Sequence, residues 1–297
     1  MSGERLHRFW IQAFLFALTL FTTSAVGARM ARNFAQGQPV FRMESDGWAF
    51  LVPFERPAVL LDGLPFSLTL LAILLAHEFG HWGMCRRYGL DASLPYFLPA
   101  PTFIGTFGAF IRIRSLIYSR RELFDVGVAG PLAGFALIVP ALYFGYAWSK
   151  IVPGVERRGD LVFGTPLIFR YFEQVLFPGV STADICLHPV AWAAWAGAFA
   201  TALNLLPIGQ LDGGHILYAW FGQRQLTLSK IFIAMLIPLG FVYWPWWIWA
   251  VVLWLFGRKH PYIHDYVGLD ARRKVIAILA FLIFAICFMP TPVEMPQ

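Results

Sequence analysis

Long uninterrupted apolar runs dominate the chain. Six stand out: Phe9–Ala28, Leu64–Met84, Leu123–Trp148, Leu187–Leu206, Leu228–Phe256 and Val275–Met289. A helix needs about 20 mostly apolar residues to cross a bilayer. The runs predict an all-α polytopic membrane protein of about six transmembrane helices. The first follows Arg5, His7 and Arg8 and exceeds the ~7–15 residues of a signal-peptide core, so it reads as a helix that stays in the membrane, although Thr22–Ala28 could pass for a cleavage site. The fifth is too long for one plain span. Pro245, inside a Trp-rich cluster that reads as an interfacial belt, tilts, kinks or splits it into a hairpin. Between runs, residues 149–186 are more polar and hold a short surface helix at Pro166–Leu176.

One connection breaks the pattern. Leu94–Ile113 is apolar, yet Pro95, Pro99, Pro101, Gly105 and Gly108 exclude a helix, and its second half is β-branched and aromatic. Non-helical backbone at membrane depth is tolerated only when buried in protein or lining a cavity. The stretch therefore predicts a re-entrant loop or β-hairpin beside a site; an ordinary interfacial loop is the alternative. The chain divides into an N-terminal helix and connection (1–63), a central core (64–222) and C-terminal segments (223–297).

Composition supports the membrane reading. Hydrophobic residues make up 58% and charged residues 13%, where a soluble domain carries about 25% charged. The net charge of +6 comes from basic residues flanking apolar runs, such as Arg86-Arg87 and Arg272-Arg273-Lys274. That distribution fits topology signals and lipid headgroups and excludes a nucleic-acid groove. With the N-terminus cytoplasmic, Arg86, Arg87, Arg112, Arg114, Arg120 and Arg121 fall inside and Arg157-Arg158 outside. A plain six-span path also puts Arg258, Lys259 and Arg272–Lys274 outside, against the positive-inside rule; a split at Pro245 repairs this but leaves two short halves. Cys85, Cys186 and Cys287 are dispersed in apolar sequence and specify neither a disulfide framework nor a metal motif.

The second run ends in His77-Glu78-Phe79-Gly80-His81. Spacing of four puts both imidazoles on one helical face, where they can reach one zinc ion, with Glu78 beside them as a base for water. Solvated polar residues at a helix end would explain the polarity but not the spacing. A catalytic zinc needs a third protein ligand and an open position. Asp212 is the candidate: Pro207 and Gly209 end the fourth run, so the chain can turn and aim this carboxylate into the bundle. The alternative is an Asp that caps a short helix starting at Gly213.

The motifs H-E-F-G-H and N-L-L-P-I-G-Q-L-D-G-G (Asn204–Gly214) together resemble those of the site-2 proteases, intramembrane zinc metalloproteases. The resemblance spans about Leu64–Tyr218, with Gly105–Ser115 and Gly130–Gly134 also similar, and is nearest the plastid and bacterial branch without a PDZ domain. It implies one Zn2+ held by His77, His81 and Asp212, with Glu78 as catalytic base. It also implies hydrolysis of peptide bonds in or near the transmembrane segments of membrane-protein substrates, as in regulated intramembrane proteolysis, and residence in the inner membrane if the chain is bacterial. Nothing in the sequence specifies a homo-oligomer.

Further candidates surround this set. Asn204 either donates to an oxyanion or substrate strand, or caps its helix. Gly105, Thr106, Phe107 and Gly108 begin a strand that could hold an unwound substrate. His215 either orients Asp212 or meets headgroups. Gly130 and Pro131 belong to a small-residue motif that packs on the catalytic helix. His188 reads as an interfacial helix start, and His260 and His264 as surface residues. The rival functions are a metal transporter and a non-catalytic zinc-binding scaffold. The first lacks a second set of intramembrane acidic residues, and the second has no use for Glu78.

Overall fold

The computed structural model describes residues 3–42, 50, 51, 53, 56–256, 263, 265 and 267–295. Arg258, Lys259, His260 and His264 lie outside them. Among the described residues, the helices of ten or more residues are α1 (Gly3–Ala35), α2 (Leu64–Arg87), α3 (Arg120–Ala147), α4 (Leu167–Leu176), α5 (Pro189–Asn204), α6 (Asp212–Phe221), α7 (Gln225–Val242), α8 (Pro245–Phe256) and α9 (Ala271–Cys287). Three two-stranded antiparallel sheets join them: β1 (Tyr96–Pro99) with β2 (Thr106–Phe110), β3 (Lys150–Ile151) with β5 (Ile185–Cys186), and β4 (Val162–Phe163) with β6 (Val293–Glu294).

Among the described residues, four helical stretches are long and apolar enough to cross a membrane: His7–Ala35, Leu64–Arg87, Arg120–Ala147 and Asp212–Val242. The sequence reading of about six transmembrane helices exceeds this number, and only the helical, polytopic character carries over. The fourth run becomes α5, only 16 residues, about 24 Å at 1.5 Å per residue, because the Pro207–Gly209 turn ends it early. The fifth run starts sooner than expected, at the α6–α7 pair, and breaks at Tyr243-Trp244, after which Pro245 opens α8. The short surface helix is present as α4, with Ile168 and Phe169 buried and Leu167, Tyr171 and Val175 exposed.

Small residues bring the central helices together. Ala191, Ala193, Ala194 and Ala198 of α5 are fully buried, and a Cβ at Gly145 of α3 would lie 2.5 Å from the Ala191 nitrogen. Where α1 meets α2, a Cβ at Gly27 would lie 2.9 Å from that of Phe66. Apolar burial alone gives helices little reason to associate in lipid, so close backbone approach carries the packing.

The chain ends sort onto two faces. Gln12 near the start of α1 donates to the Leu94 carbonyl after α2, and Arg273 at the start of α9 pairs with Asp125 of α3, which also accepts from Tyr88. On the opposite face Lys150 donates to the Ala35 carbonyl, and Trp246 at the start of α8 donates to Pro290 after α9.

Replacing Gly145 by Val should force α3 off α5 at a cost on the order of 3 kcal/mol. Lower melting temperature and loss of monodisperse protein in detergent would report it; an unchanged melt would mean the crossing has slack.

Candidate metal centre

Helix α2 delivers the first three side chains. His77, Glu78 and His81 are buried, at 6%, 6% and 7% exposure, on a helix whose other buried positions are mostly apolar. One helical turn puts the two imidazoles edge to face, with Nε2 to Nε2 at 3.1 Å. Asp212 enters from the first turn of α6, and its Oδ2 lies 3.1 Å from His77 Nε2 and 3.4 Å from His81 Nε2. Helix α6 begins at Asp212 itself with Leu211 as N-cap. The carboxylate therefore turns to the histidines and does not cap.

The donor set fits a zinc ion. Four ligands about 2.0–2.1 Å from a tetrahedral metal lie about 3.3 Å from one another, which is the spacing of these three atoms. His81 Nδ1 lies 2.7 Å from the Val126 carbonyl. A carbonyl can only accept, so Nδ1 carries the proton and Nε2 keeps its lone pair for a metal. Pro131 sits in the same stretch of α3 and removes the donor that the Gly127 carbonyl would otherwise have, which loosens this turn. Gly130 is a cradle: a Cβ there would overlap the His81 ring. Among the described residues, His77, His81 and Asp212 are the one group of three or more such side chains able to hold a metal.

The three side chains and Glu78 line a cavity of about 250 Å³. Its other wall is the end of the hairpin, Ala109–Ile111 and Ile113, which faces Glu78 across the cavity. Asn204, the last residue of α5, brings Nδ2 to 3.3 Å from His77 Nε2. His215 lines the cavity one turn beyond Asp212, where a Cβ at Gly127 would lie 3.0 Å from its own Cβ.

Other sequence candidates fall elsewhere. Gly105, Thr106, Phe107 and Gly108 form the turn end of the hairpin, away from the cavity. The Gly105 carbonyl accepts from Thr22 of α1, Thr106 Oγ1 donates to Leu98, and Phe107 is 74% exposed. The positive φ of 87° at Gly105 and 103° at Gly108 makes both turn formers. His188 caps α5 between the rings of Phe34 and Trp148, about 24 Å from the metal centre along that helix. Sequence reasoning missed the Val126 carbonyl and the place of Ile111 in the cavity wall, since backbone groups and strand register leave no residue-type signal. Pro131 next to Gly130 was the nearest clue to the first.

A profile described as Peptidase family M50 matches residues 65–243. The chain belongs to peptidase family M50. It is 29% identical over 268 residues to the chloroplastic protein of Arabidopsis thaliana named probable zinc metalloprotease EGY1, covering 86% of this chain and 47% of that one. It is 30% identical over 249 residues to the protein of that name from Oryza sativa subsp. japonica, 81% and 42%. It is 32% identical over 197 residues to EGY2 of Arabidopsis thaliana, 63% and 34%. This M50 chain thus spans less than half the length of these relatives. The matched segment runs from α2 through α7 and holds every residue that lines the cavity.

Replacing Gly130 by Ala should push the His81 ring off the metal position and lower zinc affinity by about 10–100-fold, the usual effect of disturbing a ligand's support. Competition with a chromophoric chelator measures it; unchanged affinity would show that α3 can retreat.

Proposed function

We propose that this chain is an intramembrane zinc metalloprotease that hydrolyses peptide bonds within or near transmembrane segments of membrane proteins. The observation that carries the reading is the convergence of His77 Nε2, His81 Nε2 and Asp212 Oδ2 in a buried cavity shared with Glu78. Zinc, when bound by these three residues, supplies Lewis acidity that polarises a carbonyl and acidifies water toward a pKa of about 7. Glu78, outside the ligand set, takes a proton from the attacking water at its carboxylate and returns it to the leaving nitrogen. Asn204 Nδ2 is within reach to donate to the carbonyl oxygen as it gains charge.

A transmembrane helix has no free backbone groups and must unwind to be cut. The hairpin offers such a segment an edge. Arg112 and Arg114 bond through their backbones to Ser93 and Asp91 on the β1 side. Strand amides alternate in direction, so the N–H groups of Ala109 and Ile111 face the other way, toward Glu78 and the cavity. A substrate strand added there lies alongside the base and the metal ligands.

The path of the chain supports an N-terminus on the cytoplasmic or stromal face. Helix α8 starts on the face of the Trp246–Pro290 contact, and α9 starts on the face where Tyr88, Asp125 and Arg273 meet. With Arg272–Lys274 on the same side as Arg86–Arg121, these basic residues would obey the positive-inside rule. The inner membrane is the expected location if the chain is bacterial.

Glu78→Gln should retain zinc and lose cleavage of a single-span substrate by at least about 10²–10⁴-fold. Zinc bound without cleavage by the unaltered chain, together with zinc flux into proteoliposomes, would instead support a transporter. Ala109→Pro removes one outward N–H and leaves the metal ligands untouched. It should keep zinc and lose cleavage; full activity would rule out the added strand.

A further inference from the structure

The two histidine ligands share one helix, and their spacing is fixed by its period. Asp212 arrives differently, on a non-helical loop of seven residues, Leu205–Leu211, between α5 and α6. This loop sits inside the bundle: Leu205, Leu206 and Ile208 are at 0–3% exposure. Its carbonyls cannot rely on water there and need partners from the protein. Gly213 and Gly214 of α6 lie so close that a Cβ on either would press on loop carbonyls, those of Leu205 and Leu206 for one and of Ile208 and Gly209 for the other. The loop is therefore seated on the first turn of α6.

Its other side is held by α7. Ser229 Oγ donates to the Pro207 carbonyl at 3.2 Å, and Gln225 Nε2 donates to Ser229 Oγ at 2.8 Å and reaches the Gly209 carbonyl at 3.4 Å. Both side chains are fully buried on a helix whose other buried positions, Ile233, Leu236 and Gly240, are apolar, and the Gln225 Oε1 has no partner among the described residues. A buried amide with an unmatched oxygen costs more than an apolar residue of its size would for packing alone. What these two residues do contact is the pair of carbonyls that precede the third ligand.

We propose that Gln225 and Ser229 are positioning residues: a side-chain clamp on α7 that fixes the Pro207–Gly209 turn and through it the reach of the Asp212 carboxylate toward His77 and His81. The clamp rests on the metal-binding reading given above. It makes α7, which contributes nothing to the cavity wall, part of the metal centre. A site functions within about 0.5 Å of its productive geometry, and the loop is the only ligand support here without a helix period to enforce it. Loss of the clamp frees the loop to shift on α6 while the histidines stay in place.

The test uses the full chain in detergent, with zinc affinity from chelator competition and melting temperatures measured zinc-loaded and after chelation. Gln225→Met and Ser229→Ala should each weaken zinc binding by about 10–100-fold and shrink the gap between the loaded and metal-free melts. Ser229→Thr, which keeps the hydroxyl, should restore both. Ser229→Ala removes a single oxygen and keeps the measurement accessible if Gln225→Met folds poorly. Unchanged affinity, with both melts falling in parallel, would overturn the clamp and leave a pair that only packs α7. An unaltered chain that binds no zinc would overturn the metal reading and the clamp with it, a result distinct from a zinc-binding wild type whose variants match it.

Discussion

Three lone pairs pointed at one another in an apolar bundle need a cation or a proton between them, and the rest of this molecule is arranged around that need. His77 Nε2, His81 Nε2 and Asp212 Oδ2 lie within 4.8 Å of one another at positions little exposed to solvent. Ionisable groups in a membrane cost at least about 2.5–3.5 kcal/mol each unless partnered. A shared metal answers all three at once. Gly130 leaves room for the His81 ring, the Val126 carbonyl takes the proton of Nδ1, and α5 stops after Asn204 so that another segment can enter.

That early stop explains the architecture better than hydropathy does. A full-length fourth helix would carry Asp212 past the site. A 16-residue helix followed by a turn lets the chain reverse inside the protein and present Asp212 in the first turn of α6. The same logic applies to the hairpin. Backbone that is neither helix nor closed barrel survives at this depth only where protein covers it or where it lines a cavity. β2 satisfies both: β1 takes one edge, and its end at Ala109 and Phe110 lines the cavity that holds Glu78.

Legibility in the sequence follows the physics of each part. The pair His77 and His81 could be read because helix period converts spacing into geometry. The hairpin could be read because Pro95, Pro99 and Pro101 forbid the alternative. Which of its residues face the site could not: register decides that, and it puts Ala109–Ile111 and Ile113 at the cavity and Gly105 against α1. The number of long spans was also out of reach, since Leu187–Leu206 is as apolar as a spanning helix while the Pro207 turn cuts it short. Gln225 and Ser229 carry no motif; only the loop they touch gives them meaning.

The position of Glu78 bears most directly on what the centre does. A structural zinc site closes with four protein ligands, whereas a catalytic one keeps a position open. Glu78 is adjacent in sequence to His77 and close in space to the cluster, so it could have served as a fourth ligand. The ligand atoms that converge among the described residues are instead those of His77, His81 and Asp212, and Glu78 lines the cavity beside them. Three protein ligands would leave a bound zinc ion its fourth position, and the strand edge at Ala109–Ile111 lines the same cavity as the base. A pathway for ions has no need of that coupling, and a scaffold would gain from closing the site. Peptide hydrolysis uses both the open position and the base that faces it.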